Sequence, residues 1–82
     1  MGRLNAEVQA GIMREIVTTL RKYPQGLTLV ELKNILKRNR ATITYRVKIL
    51  EAKGWVTIRQ VGLTKLIYYR NVQGRSMQNL PV

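Results

Sequence analysis

Between Lys37 and Lys48 the sequence sets Arg40, Thr42, Thr44, Tyr45 and Lys48 on a segment whose apolar residues, Ile43, Val47 and Leu50, recur at i, i+4 and i+7. Those polar types share one chemistry, reading the edges of base pairs. Arg forks onto guanine O6 and N7, Thr bonds a base edge or touches a thymine methyl, and Tyr does either through its hydroxyl or ring. Around them, Lys37, Arg38 and Arg46 suit phosphate oxygens, and further along Arg59, Thr64, Lys65 and Arg70 offer the same chemistry. Nothing in the chain resembles a catalytic constellation. There is no nucleophile–base pair and no phosphate-cradling glycine loop, so an enzyme is not expected.

Composition agrees. The 82 residues contain no Cys and no His, which removes thiolate chemistry, disulfides and Cys or His metal sites together. Only 4 acids face 15 Lys and Arg, for a net charge of +11. Such a charge repels itself on folding and calls for a polyanionic partner. A basic surface by itself also fits better solubility, a ribosomal protein or a membrane-surface protein. No apolar run is long enough for a membrane span, and MGRLNAEVQAG lacks the apolar core of a signal peptide. The expectation is one small cytoplasmic domain with no metal and no cofactor.

The elements that position those residues follow from periodicity and punctuation. Val8, Ile12, Ile16 and Leu20 repeat every four residues and predict a first helix over 6–22, with Asn5 as N-cap and Glu7 in its first turn. Met13 and Val17 flank that stripe. They fill the core or face a second subunit, and periodicity does not decide between the two. Pro24 and Gly26 break the helix. Thr28-x-x-Glu31 has capping-box spacing, so Thr28 is read as the cap of a second helix over 29–36 and also as a phosphate candidate. Lys37 to Arg40 form the turn, with Asn39 as its left-handed residue. A third helix over 41–53 follows, where Thr42 is either a cap or a base reader, and Gly54 ends it. The period then shifts from 3.6 to 2, giving strands over 55–60 and 65–70 around a loop at 61–64. A lone hairpin is marginal in water, so it must pack on the helices, with Trp55 as the expected anchor. Tyr68 and Tyr69 alternate, which predicts one in the core and one exposed. Residues 1–70 make the domain. Residues 71–82 are read as a tail in which Met77 and Leu80 offer a weaker docking reading.

Helix, helix, turn, helix and hairpin is the order of a winged helix-turn-helix, an α+β fold that is mainly α. The segment from Thr42 to Val56 resembles the recognition-helix signature of the arsenic-repressor-like (ArsR) and MarR-like transcription regulators. Thr42, Ile43, Thr44, Ile49, Leu50, Glu51, Gly54 and Val56 occupy its positions, and Trp55 stands where Leu is common. The resemblance spans residues 6–70. It implies a DNA-binding regulator whose third helix enters the major groove while the wing contacts the backbone. Metal sensing through Cys and His is excluded for this chain, and the longer terminal helices with which MarR-like members dimerise are expected to be absent.

The leading expectation is therefore a sequence-specific regulator of transcription, a homodimer on double-stranded DNA with half-sites ~34 Å apart. Two other readings suit the same charge. One is a chromatin or architectural protein binding duplexes without preference; the other is a winged-helix module for RNA or protein.

Overall fold

The computed structural model describes residues 2–70, with side chains from residue 11 onward. The tail expected over 71–82 and the side chain of Val8 lie outside that description. The described residues form α1 (Gly2–Lys22), α2 (Leu29–Leu36), α3 (Arg40–Ala52), β1 (Val56–Val61) and β2 (Thr64–Tyr69). Three helices followed by a two-stranded antiparallel hairpin make a winged helix.

The core is a single cluster drawn from every element. Ile12, Met13, Ile16, Val17 and Leu20 of α1 meet Leu32 of α2 and Ile43, Val47 and Leu50 of α3, with Trp55, Val56 and Ile67 from the hairpin. Met13 and Val17 are fully buried within the chain, so the width of the α1 stripe serves the core. Trp55 is buried as well, 5% exposed, and it ties the start of the wing to the helices.

Helix ends account for where the chain turns. Thr28 Oγ1 accepts from the Glu31 N–H at 3.1 Å and Glu31 Oε1 accepts from the Thr28 N–H at 2.9 Å, a complete capping box. At the end of α3 the Trp55 N–H donates to the Leu50 carbonyl at 2.8 Å and the Gly54 N–H to the Glu51 carbonyl at 3.0 Å. With Gly54 at φ 83° this is a Schellman motif, and it aims the chain from α3 straight into β1. The wing is also tied to the other side of the domain. Leu27, just before α2, pairs with Ile67 through Leu27 N–H to Ile67 carbonyl at 3.0 Å and Ile67 N–H to Leu27 carbonyl at 2.7 Å.

Several sequence expectations are corrected. The first helix starts at Gly2, not Ala6, so Asn5 is inside it rather than capping it and Glu7 is past its first turn. The left-handed residue between α2 and α3 is Lys37, at φ 55°, ψ 45°, and not Asn39. Asn39 caps α3 instead, its Oδ1 accepting from the Ala41 N–H at 2.7 Å. The cap role offered for Thr42 is thus already filled. The hairpin is tighter than the loop expected over 61–64. Val61 pairs with Thr64, leaving only Gly62 and Leu63 in the turn. Gly62 has φ 63° while Leu63 is not at positive φ, as in a type II′ turn. Finally, Tyr68 and Tyr69 are both half-buried, because the ring of Tyr68 covers Gly26 while Tyr69 packs on the core.

Candidate nucleic-acid interface

α3 presents one polar side. Residues 40, 41, 44, 45 and 48 are one, three or four apart and so share it. With Asn39 they line a single open depression on the helix surface. Arg40, Tyr45 and Lys48 are exposed, Tyr45 at 59%, and Thr44 is half-buried between them. The Thr44 hydroxyl donates to the Arg40 carbonyl at 2.8 Å. That bond fixes the rotor and leaves its oxygen lone pairs and its methyl for an incoming group.

Thr42 and Arg46 are not on that side. The helical period carries both to the opposite flank with Ile49. Sequence reasoning set Arg46 on an exposed flank within reach of phosphate. The structure instead buries it, at 8% exposed, with its guanidinium 4.8 Å from the Tyr45 ring centroid. Its Nε has no hydrogen-bond partner among the described residues.

The turn before α3 divides its cations. Arg38 is paired back onto α1, Nη2 to Glu15 Oε2 at 2.8 Å, while Lys37 is exposed. Thr28 is engaged in its capping box. Of the acids whose side chains are described, Glu15 and Glu31 are thereby occupied, and Glu51 lies in a cleft beside Lys48 and Lys65.

The wing has two faces with different neighbours. Ile58, Gln60 and Lys65 face α3, and Lys65 lines clefts with Arg40, Thr44 and Lys48. Arg59 and Tyr68 lie on the outer face with Thr57, and the Arg59 guanidinium stands 5.9 Å from the Tyr68 ring centroid. Arg21 of α1 stands 5.6 Å over the Tyr69 ring. Arg70 follows β2 beside the outer face, its N–H donating to the Trp55 carbonyl at 2.9 Å. Thr64 is exposed at the tip. Of the residues singled out from sequence, the fold therefore gathers Arg40, Thr44, Tyr45, Lys48 and Lys65 on one side. It holds Thr42, Arg46, Arg59 and Arg70 elsewhere.

The charge order of α3 runs against its own dipole. The first turn has no acid and begins with Arg40, and the last turn has no base and contains Glu51. Each such placement costs roughly 0.3–1 kcal/mol of helix stability. Arg40 at the helix start is therefore not there to stabilise the helix, and an external anion in front of it would reverse the sign of that term.

Two residues that the sequence reading passed over belong to this description. Ala41 lines the α3 depression, where its small side chain leaves the helix backbone open. Leu63, at the wing tip, is fully exposed. A two-residue turn after a β-branched run was the signal that would have put it there.

Among the described residues, no group of three or more His, Cys, Asp or Glu side chains is placed to hold a metal ion, and no helix is long and apolar enough to cross a membrane. Comparison with curated proteins finds no match. Comparison with family models finds the MarR family, matched over residues 15–60, which runs from the middle of α1 through α2 and α3 into β1. That stretch is more than half of the chain and contains both the α3 face and the turn that leads to it, so the chain belongs to the MarR family of winged-helix, DNA-binding transcriptional regulators.

Proposed function

We propose that the chain reads duplex DNA with α3 in the major groove, Arg40, Thr44, Tyr45 and Lys48 meeting base edges, and that it does so as a homodimer on a two-fold related site in the cytoplasm. Lys37 and Lys65 meet phosphates on either side of the groove, with Thr64, Arg59 and Arg70 following the backbone along the wing. Thr28 contributes as a cap that orders α2 behind the reading helix. Arg38, through Glu15, fixes the turn. Thr42 and Arg46 support α3 from behind.

One observation carries this reading. The exposed side of α3 gathers Arg40, Thr44, Tyr45 and Lys48 around one depression, and Arg40 stands in the first turn, where the helix dipole disfavours a cation. The test is binding to duplex DNA over a salt series, followed by selection from a random duplex pool. A steep negative slope of log K against log salt and an enriched inverted repeat are expected. A slope near zero sinks the reading, and a steep slope with no enriched sequence replaces it by architectural binding.

A second reading has its own observation. Arg59 over Tyr68 makes a basic, aromatic spot on the outer face of the wing, chemistry that also suits stacked single-stranded bases. Competition between duplex DNA and structured RNA separates the two, and preference for RNA would favour the second.

A further inference from the structure

Arg38 lies between two exposed cations of the reading side. It follows Lys37 and stands two residues before Arg40, the first residue of α3. Its guanidinium is nevertheless held on α1, Nη2 to Glu15 Oε2 at 2.8 Å. The pair is open to water, its side chains 39% and 41% exposed. Such pairs contribute little, because water screens both charges and two long side chains lose their freedom. The backbone of the turn has ties of its own. The Lys37 and Arg38 N–H groups both donate to the Lys33 carbonyl, and Asn39 caps α3 through the Ala41 N–H. Arg38 can therefore change partner by side-chain rotation, with the turn kept. A phosphate is a better partner than a solvated carboxylate. It accepts both arms of a guanidinium, and the dipole at the start of α3 favours an anion in the same place.

We infer that Glu15 is a built-in competitor for a phosphate contact of Arg38: the ion pair forms in the free chain and is exchanged for a DNA phosphate beside the start of α3. This rests on the duplex reading proposed above. Glu15 acts on binding only through Arg38, as a positioning residue, and it lowers affinity rather than raising it. The coupling is reciprocal. DNA frees the Glu15 carboxylate on α1, and a cation that occupies that carboxylate strengthens binding to DNA.

The test uses the full chain and a duplex enriched from the random pool, titrated over a salt series. Arg38→Met is expected to lower the slope of log K against log salt by about 0.9, the share of one phosphate, and Arg38→Lys to keep it. Glu15→Gln is expected to tighten binding about two- to fivefold, as loss of an exposed pair allows, with the slope unchanged. In the Arg38→Met background, Glu15→Gln should have no effect, because the competitor has nothing left to hold. Tightening that persists in that background reports a general loss of negative charge and overturns the inference. So does an unchanged slope in Arg38→Met, which would leave the arginine on Glu15 in the complex. Glu15→Gln binding no tighter than the parent overturns it as well. A slope near zero in the unaltered chain would instead remove the duplex reading on which this one stands.

Discussion

The guanidinium of Arg46 stacks 4.8 Å from the ring centroid of Tyr45, its neighbour on α3, and joins a buried residue to one that is 59% exposed. The stack holds Tyr45 at the edge of the exposed α3 face from behind. It also accounts for an arginine that tolerates burial, because ring and aliphatic stem replace part of its hydration. The compensation is incomplete, since Nε has no partner among the described residues.

Replacing Arg46 therefore has opposing terms. Losing the stack costs about 0.5–2 kcal/mol, while removing a buried unpaired donor returns about 1–3 kcal/mol. Arg46→Met, which keeps the stem, should leave unfolding free energy within about 1 kcal/mol of the parent or raise it. Arg46→Ala, which empties the site, should lower it by about 2 kcal/mol. Chemical denaturation of the two variants measures the difference. A Met variant as damaged as the Ala variant would mean that the charge itself is needed.

Lys48 and Lys65 line common clefts between α3 and the wing, on the side proposed for DNA. Each neutralised phosphate contributes about 0.9 to the slope of log K against log salt. Lys65→Met should reduce the slope by about 0.9, and Arg46→Met should leave it unchanged because its guanidinium is turned to the other flank. Equal reductions from both would place phosphate on the wrong side of α3.

Much of the fold could be read because its determinants are local. The α2 cap needed only Thr28 and Glu31, three residues apart, and the stop of α3 needed only Gly54 with apolar residues around it. The stripe of Ile43, Val47 and Leu50 set which side of α3 is buried. What escaped was either a matter of phase or long-range. Counting 100° per residue from the stripe of Ile43, Val47 and Leu50 separates Thr42 and Arg46 from Arg40, Thr44, Tyr45 and Lys48, yet the polar composition of the segment hides this. Lys37, rather than Asn39, takes the left-handed position because Asn39 is worth more as a cap. Arg38 finds Glu15 across 23 residues, and Leu27 finds Ile67 on a distant strand, contacts with no local signature.

Gly26 shows such a hidden constraint. It has φ 90°, and a Cβ placed there would come within 2.8 Å of the Tyr68 ring. The conformation is strained for any L side chain, and the ring is held by its strand. Gly26→Ala should cost about 2–3 kcal/mol in unfolding free energy. The double variant with Tyr68→Ala should recover the steric part only, so the two changes should be non-additive in a double-mutant cycle. Additive costs would show that the ring moves aside freely.

Lys37 offers a case where stability and binding should move in opposite directions. It sits at φ 55°, ψ 45°, with its N–H donating to the Lys33 carbonyl, the position where helices favour glycine. A non-glycine residue there is disfavoured by roughly 1–2 kcal/mol, part of which is offset by glycine's greater freedom in the unfolded chain. Lys37→Gly should therefore raise the midpoint of chemical denaturation, by the equivalent of about 0.5–1 kcal/mol. If Lys37 meets a phosphate beside the start of α3, the same variant should bind duplex DNA more weakly and lose about 0.9 of the salt slope. Such a residue is kept at a strained position for its charge, a local rule broken where binding gains from it. A variant that is more stable and binds as well as the parent would show that the lysine is there by tolerance alone.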